Sequence, residues 1–233
     1  MNNIRNQRGV TLIELMIAIT LVAMLSSGLL FAMRGGLLTE QRISTRLAAN
    51  RRGINIQNML NRQLAGAIPV MGLCEASQGP ASSVPFFQGT ETSLRFVSSF
   101  SMTQGDRGAP QIVEYQVQAA AGGRWRLAIA ERPYSGPAST GSFCRELKPL
   151  PVNVGPTPFV AADQLLLCHF TYHERHNIYV YEETPWLLGW DRPTLPGAVR
   201  IDMQPSELTA LPFHGVTASL RTDRSALIQY VDQ

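Results

Sequence analysis

A stretch of 19 residues, Leu15 to Met33, carries no charge, close to the roughly 20 that a helix needs to cross a bilayer core. Nothing else in the chain restricts its fold so strongly. One carboxylate, Glu14, stands at the head of the run, in Arg8-Gly9-Val10-Thr11-Leu12-Ile13-Glu14-Leu15-Met16. An acid inside a membrane helix costs about 2.5–3.5 kcal/mol on insertion scales, so its presence asks for a function. A cut after Gly9 would create one, because a new α-amino group then appears at Val10. In an assembly of such helices, Glu14 of one subunit would neutralise that amine on its neighbour and set the register. The competing reading is a plain signal anchor whose acid reaches back to the interface. The residues alone leave both open.

Past Met33 the pattern becomes amphipathic, with Ile43, Leu47, Ile54, Leu60, Leu64 and Ile68 near helical spacing among Arg, Gln and Asn. This predicts one helix from Val10 to Ala67, roughly 87 Å long, whose second half packs on a globular domain. It should stop between Gly66 and Pro69, where proline removes a donor. Gly28, Gly35-Gly36 and Gly53 each cost roughly 1 kcal/mol against alanine, and the glycine pair is the expected place for a bend or a melted turn. From Pro69 the signals change. Leu94 to Phe100 and Gln111 to Val117 alternate as strands, and Gly122-Gly123 turns the second into Arg124 to Ile129. Leu165–Tyr172, Ile178–Glu182, Ala198–Met203 and Ala226–Val231 read as further strands, the first two as a hairpin. Cys74–Gly89 and Tyr134–Pro158 are rich in Gly, Ser and Pro and read as loops. The expected class is α+β, with residues 1–9 as leader, 10–33 as span, 34–68 as amphipathic helix and 69–233 as a β-rich domain.

With 233 residues the chain has room for one span and one domain. Its net charge of +3 is too small to argue for a nucleic-acid partner, and the arginines concentrate in the leader and along the helix after the span. Three cysteines lie beyond the span. In an oxidising compartment they allow one disulfide and leave one thiol. Cys74 and Cys144 sit in loops free to meet, whereas Cys168, in Leu165-Leu166-Leu167-Cys168, reads as a buried small hydrophobe; the sequence does not fix the pairing. Cys168, His169, His173, Glu174 and His176 contain ligand types that zinc favours, but alternation sends Cys168 and His169 to opposite faces. A solvated turn is the expectation there, with no metal and no cofactor. No Gly-x-Ser-x-Gly elbow, phosphate loop or His-Glu-x-x-His occurs, so no catalytic residue is assigned. Trp186 and Trp190, between Pro185 and Pro193, either dock a neighbouring subunit or fold over an edge of the sheet as local core.

The run Gly9-Val10-Thr11-Leu12-Ile13-Glu14-Leu15 resembles the prepilin cleavage and methylation signal: a basic leader ending in Gly, then an apolar residue, Thr, two apolar residues, Glu and Leu. The resemblance implies that a prepilin peptidase cuts after Gly9 and methylates Val10, where Phe is the usual residue. It implies subunit registration through Glu14 with Thr11 beside it, and other pilins as partners. The order Ile112-Val113-Glu114-Tyr115, a Gly turn, a Trp-containing loop and Leu195-Pro196-Gly197-Ala198-Val199-Arg200-Ile201 is similar to J-type minor pseudopilins of type II secretion and related minor pilins. That likeness implies a structural subunit, not an enzyme, in a periplasmic pseudopilus, or else a minor subunit of a type IV pilus. It also implies an inner-membrane anchor with the C-terminal domain outside the cytoplasm. Counting arginines around the span would orient the chain the other way, since Arg34, Arg42, Arg46, Arg51 and Arg52 follow it and only Arg5 and Arg8 precede it.

Overall fold

The computed structural model describes residues 11–74, 80–105, 108–145, 148–175, 184–206 and 215–220. The chain divides into two compact units, one reaching to Ala48 and the other beginning at Ala49. A single helix, α1 (Leu12–Ala65), supplies the described part of the first unit and the opening of the second. It runs through Gly35-Gly36 as regular helix. The melted turn expected there is absent: a modest propensity penalty at two adjacent glycines does not outweigh helical hydrogen bonding propagated from both sides.

In the second unit the strands are β1 (Ala67–Ile68), β2 (Met71–Cys74), β3 (Ser82–Pro85), β4 (Gln88–Gly89), β5 (Ser93–Ser98), β6 (Gln111–Ala120) and β7 (Arg124–Pro133). A 3₁₀ helix, Pro137–Phe143, precedes β8 (Cys144–Arg145), β9 (Lys148–Pro149), β10 (Phe159–His173), β11 (Ala198–Pro205) and β12 (Gly215–Ser219). The main sheet runs β1-β5-β6-β7-β10-β11-β12, with β4 also on β5, and its pairs are antiparallel. The fold is thus α+β. β2–β3 and β8–β9 form two small satellite pairs. Gly122 and Gly123 close the β6–β7 hairpin with φ of +72° and +69°, a region that favours residues lacking Cβ.

Alternation explains the packing. Phe96 on β5, Val113 and Tyr115 on β6, and Leu127 and Ile129 on β7 share the face that receives Ile56, Leu60 and Leu64 from the last turns of α1. Burying a side chain of this size stabilises by about 1.5–3 kcal/mol. Gln63 is fully buried among them. Its amide donates to Glu131 and accepts from the Tyr115 hydroxyl at 2.6 Å, while Ser98 Oγ donates to the Gln63 carbonyl at 2.8 Å. Burial first, and the Glu131 carboxylate second, push the Tyr115 phenol well above its ordinary range, so it stays a donor. These polar bonds fix the rotation of the helix end, because a slip of one residue would leave Gln63 buried without partners.

Residues 165–173 pair with β11 on one side. On the other side Phe170 N donates to Glu91 O at 2.9 Å, and Tyr172 exchanges backbone bonds with Leu187. Ile178–Glu182 and Ala226–Val231, read as strands from the sequence, lie outside the described residues. The two stretches read as loops contain β3, β4, the 3₁₀ helix, β8 and β9, and β2 ends at the first of their residues, Cys74.

Candidate functional site: the anchoring helix and the head of the domain

Thr11 stands just before α1, and its carbonyl accepts from Glu14 N at 3.1 Å and Leu15 N at 3.2 Å. Glu14 therefore falls in the first turn, where the helix dipole favours an acid. Leu12–Leu37 is long and apolar enough to cross a membrane, and none of it is buried within the protein. Two of its hydroxyls fold back on their own helix: Thr20 Oγ1 donates to Ile17 O and Ser27 Oγ to Met24 O, both at 2.9 Å. The backbone and those hydroxyls are thus satisfied without water, as an apolar surrounding requires. Glu14, near the start of the span, is an exposed acid with no bond to another side chain among the described residues. Gly9 and Val10 lie outside the described residues.

In the domain, the loop bearing the two tryptophans is split in its behaviour. Trp190 is 5% exposed and belongs to the main core, with Nε1 donating to Thr194 O at 2.6 Å and the backbone bridging Gly89. A change there acts on the fold before it acts on any neighbour. Trp186 is half-buried, lies against His173 at 5.0 Å, and carries the Arg200 guanidinium 4.0 Å from its ring centre. Leu188 beside it is 57% exposed. A groove of about 540 Å³ opens next to this loop, lined by Phe86, Phe87, Cys144, Trp190 and Arg192 among others.

The metal-ligand types are dispersed by the fold. Cys168 is buried in the core, where burial, then Asp202, pushes its thiol up to about 12. His169 faces Asp202 at 3.5 Å, His173 meets Thr184, and Glu174 pairs with Arg192. Among the described residues no three such groups converge; His176 lies outside them.

Cys74 and Cys144 are joined by a disulfide. Near it lies an ion pair that sequence reading did not single out: Arg95, 3% exposed, donates through Nε and Nη2 to Glu114, 1% exposed, at 2.9 and 2.7 Å. The signal was there, as each charge interrupts an apolar strand, Leu94-Arg95-Phe96 and Val113-Glu114-Tyr115. In an antiparallel sheet with one wet face such charges would point to solvent, whereas here both are buried.

Residues 4–30 match the family model of the prokaryotic N-terminal methylation motif. No curated protein and no solved structure matches the chain. The chain carries a prepilin-type signal at the start of an apolar helix suited to membrane anchoring. That motif supports a pilin-like or pseudopilin role and implies processing by a prepilin peptidase and assembly with other pilins.

Proposed function

We propose that this chain is a minor pseudopilin of a type II secretion system, a structural subunit that starts or caps a periplasmic pseudopilus for protein export. The observation that carries the reading is Glu14, the single charge between Thr11 and Met33 of the exposed apolar span, four residues past Val10 in the matched motif. Removal of residues 1–9 leaves Val10 as a methylated terminal amine. Glu14 neutralises that amine on a neighbouring subunit, with Thr11 opening the helix beside it. The remaining span, to Met33, is held by the inner membrane and by the spans of other subunits, residues 34–65 continue the helix, and the β-rich part from Ala67 onward forms the periplasmic domain. The Cys74–Cys144 bond suits an oxidising compartment. The domain selects neighbours through accessible groups such as Trp186 and Leu188, while Trp190 supports that surface from within. In this role the chain is the substrate of a peptidase and has no chemistry of its own.

Deleting the chain from its host is expected to stop release of exported proteins while twitching and DNA uptake continue. Normal export with lost twitching or DNA uptake would instead assign the subunit to a type IV pilus.

A further inference from the structure

The main sheet is covered on both faces, but unequally. On the helix side, 24 buried residues among those described form one continuous core. On the opposite side two small clusters stand apart, Phe86, Val97, Ile112 and Phe143 in one and Ala128, Val152 and Val154 in the other. A strap, residues 137–145 and 148–154, covers that second face. It is held largely by side chains of the sheet reaching its backbone carbonyls. Arg95 Nη1 donates to Leu150 O at 2.8 Å, Arg95 Nη2 to Pro151 O at 3.2 Å and Gln116 Nε2 to Val152 O at 3.1 Å. Phe143 lies 4.9 and 5.2 Å from the Arg95 and Arg132 guanidinium carbons. The strap is tied to β2 by the Cys74–Cys144 bond and by Leu73 N donating to Thr140 Oγ1 at 3.0 Å. So tight is that approach that a Cβ on Gly72 would sit 2.6 Å from Thr140 Oγ1.

We propose that the Cys74–Cys144 bond is a latch on this second face, and that its reduction lifts the strap from the sheet while the helix-side core stays closed. Small separate clusters and carbonyl-directed bonds open more readily than one large core, so the strap is the weaker cooperative unit once its covalent tie is gone. The seal thereby becomes conditional on the thiol–disulfide state of the compartment. In the reducing step a dithiol attacks the bond. The S–S bond breaks, Cys74 and Cys144 gain two electrons and two protons, and the dithiol closes to its own disulfide. Opening exposes Arg95 and Glu114 to water together, so neither charge is left buried alone.

Cys168 makes the test internal, because it is a free thiol buried in the helix-side core. Cys74 and Cys144 are themselves 1% and 9% exposed, so alkylation of their reduced thiols reports opening. The full chain in detergent micelles is treated with dithiothreitol, pulsed with a maleimide and mapped by mass spectrometry. Cys74 and Cys144 are expected to react at least about 100-fold faster than Cys168. Amides of residues 148–154 should gain hydrogen exchange while those of β6 and β7 do not. Three thiols reacting at one rate, or a bond that dithiothreitol cannot open in the folded chain, would overturn the proposal. A chain with Cys74→Ser and Cys144→Ser should show the same exchange pattern without reductant; exchange equal to that of the oxidised protein would also overturn it.

Discussion

Replacing Glu114 with Ala is expected to cost the fold about 3–5 kcal/mol, because it strands the Arg95 guanidinium inside the protein. Arg95 would keep Gln88, Leu150 and Pro151 as neutral acceptors but lose the carboxylate that receives two of its N–H groups. Desolvation already lowers the Arg95 pKa below its ordinary value, with the hydrogen bond and charge of Glu114 opposing that shift. Removing the acid therefore removes the compensating influence and leaves the penalty. Thermal unfolding of the full chain in detergent should show a midpoint lower by on the order of 10 °C. Changing both partners, Arg95→Met with Glu114→Leu, should cost much less than the sum of the single changes, since no lone charge is then buried. A small loss from Glu114→Ala alone would mean that water reaches Arg95 and that the second face is not closed.

The other large effect is expected at Glu14, and it concerns assembly. Under the proposed function, Glu14→Ala leaves a neighbour's Val10 amine in hydrocarbon without its counter-charge. An uncompensated charge there is worth about 2.5–3.5 kcal/mol, so incorporation into the filament should fall by on the order of a hundredfold. Insertion of the chain itself should be unimpaired, since the substitution makes the span more apolar. Immunoblots of membrane and sheared-filament fractions separate the two: full amounts in membrane, little in filament. Equal incorporation of the variant and the parent chain would remove the ion pair from the account.

How far the sequence reveals this molecule depends on how local each signal is. The apolar span and the helical recurrence of Leu60 and Leu64 are periodic over many residues, and the helix ends at Ala65, next to Gly66 and ahead of Pro69. The β6–β7 hairpin was equally plain, because Gly122 and Gly123 announce a turn between two alternating runs. The pairing of Leu165–Tyr172 was not. Its partner, Ala198–Pro205, is distant in sequence, and alternation gives the face of a strand without naming its neighbour. Strands as short as β2, β3, β8 and β9 carry too few residues for a period to register, and their Gly, Ser and Pro content suggests loops. The Arg95–Glu114 pair was hidden for a related reason. A charge in a strand normally means a wet face, and only the tertiary covering by residues 143–145 and 148–154 makes that face dry. The assembly residues were approached from the other direction: Glu14 is conspicuous in the sequence because it has no place in an apolar run, and the fold of a single chain supplies it with no described partner.

Mass spectrometry of the N-terminus of the membrane-inserted protein tests the central claim most directly. A chain beginning at Val10, heavier at its amine by one methyl group, is the predicted result. A mature protein still carrying Met1 to Gly9 would contradict it and leave a static anchor in place of a filament subunit.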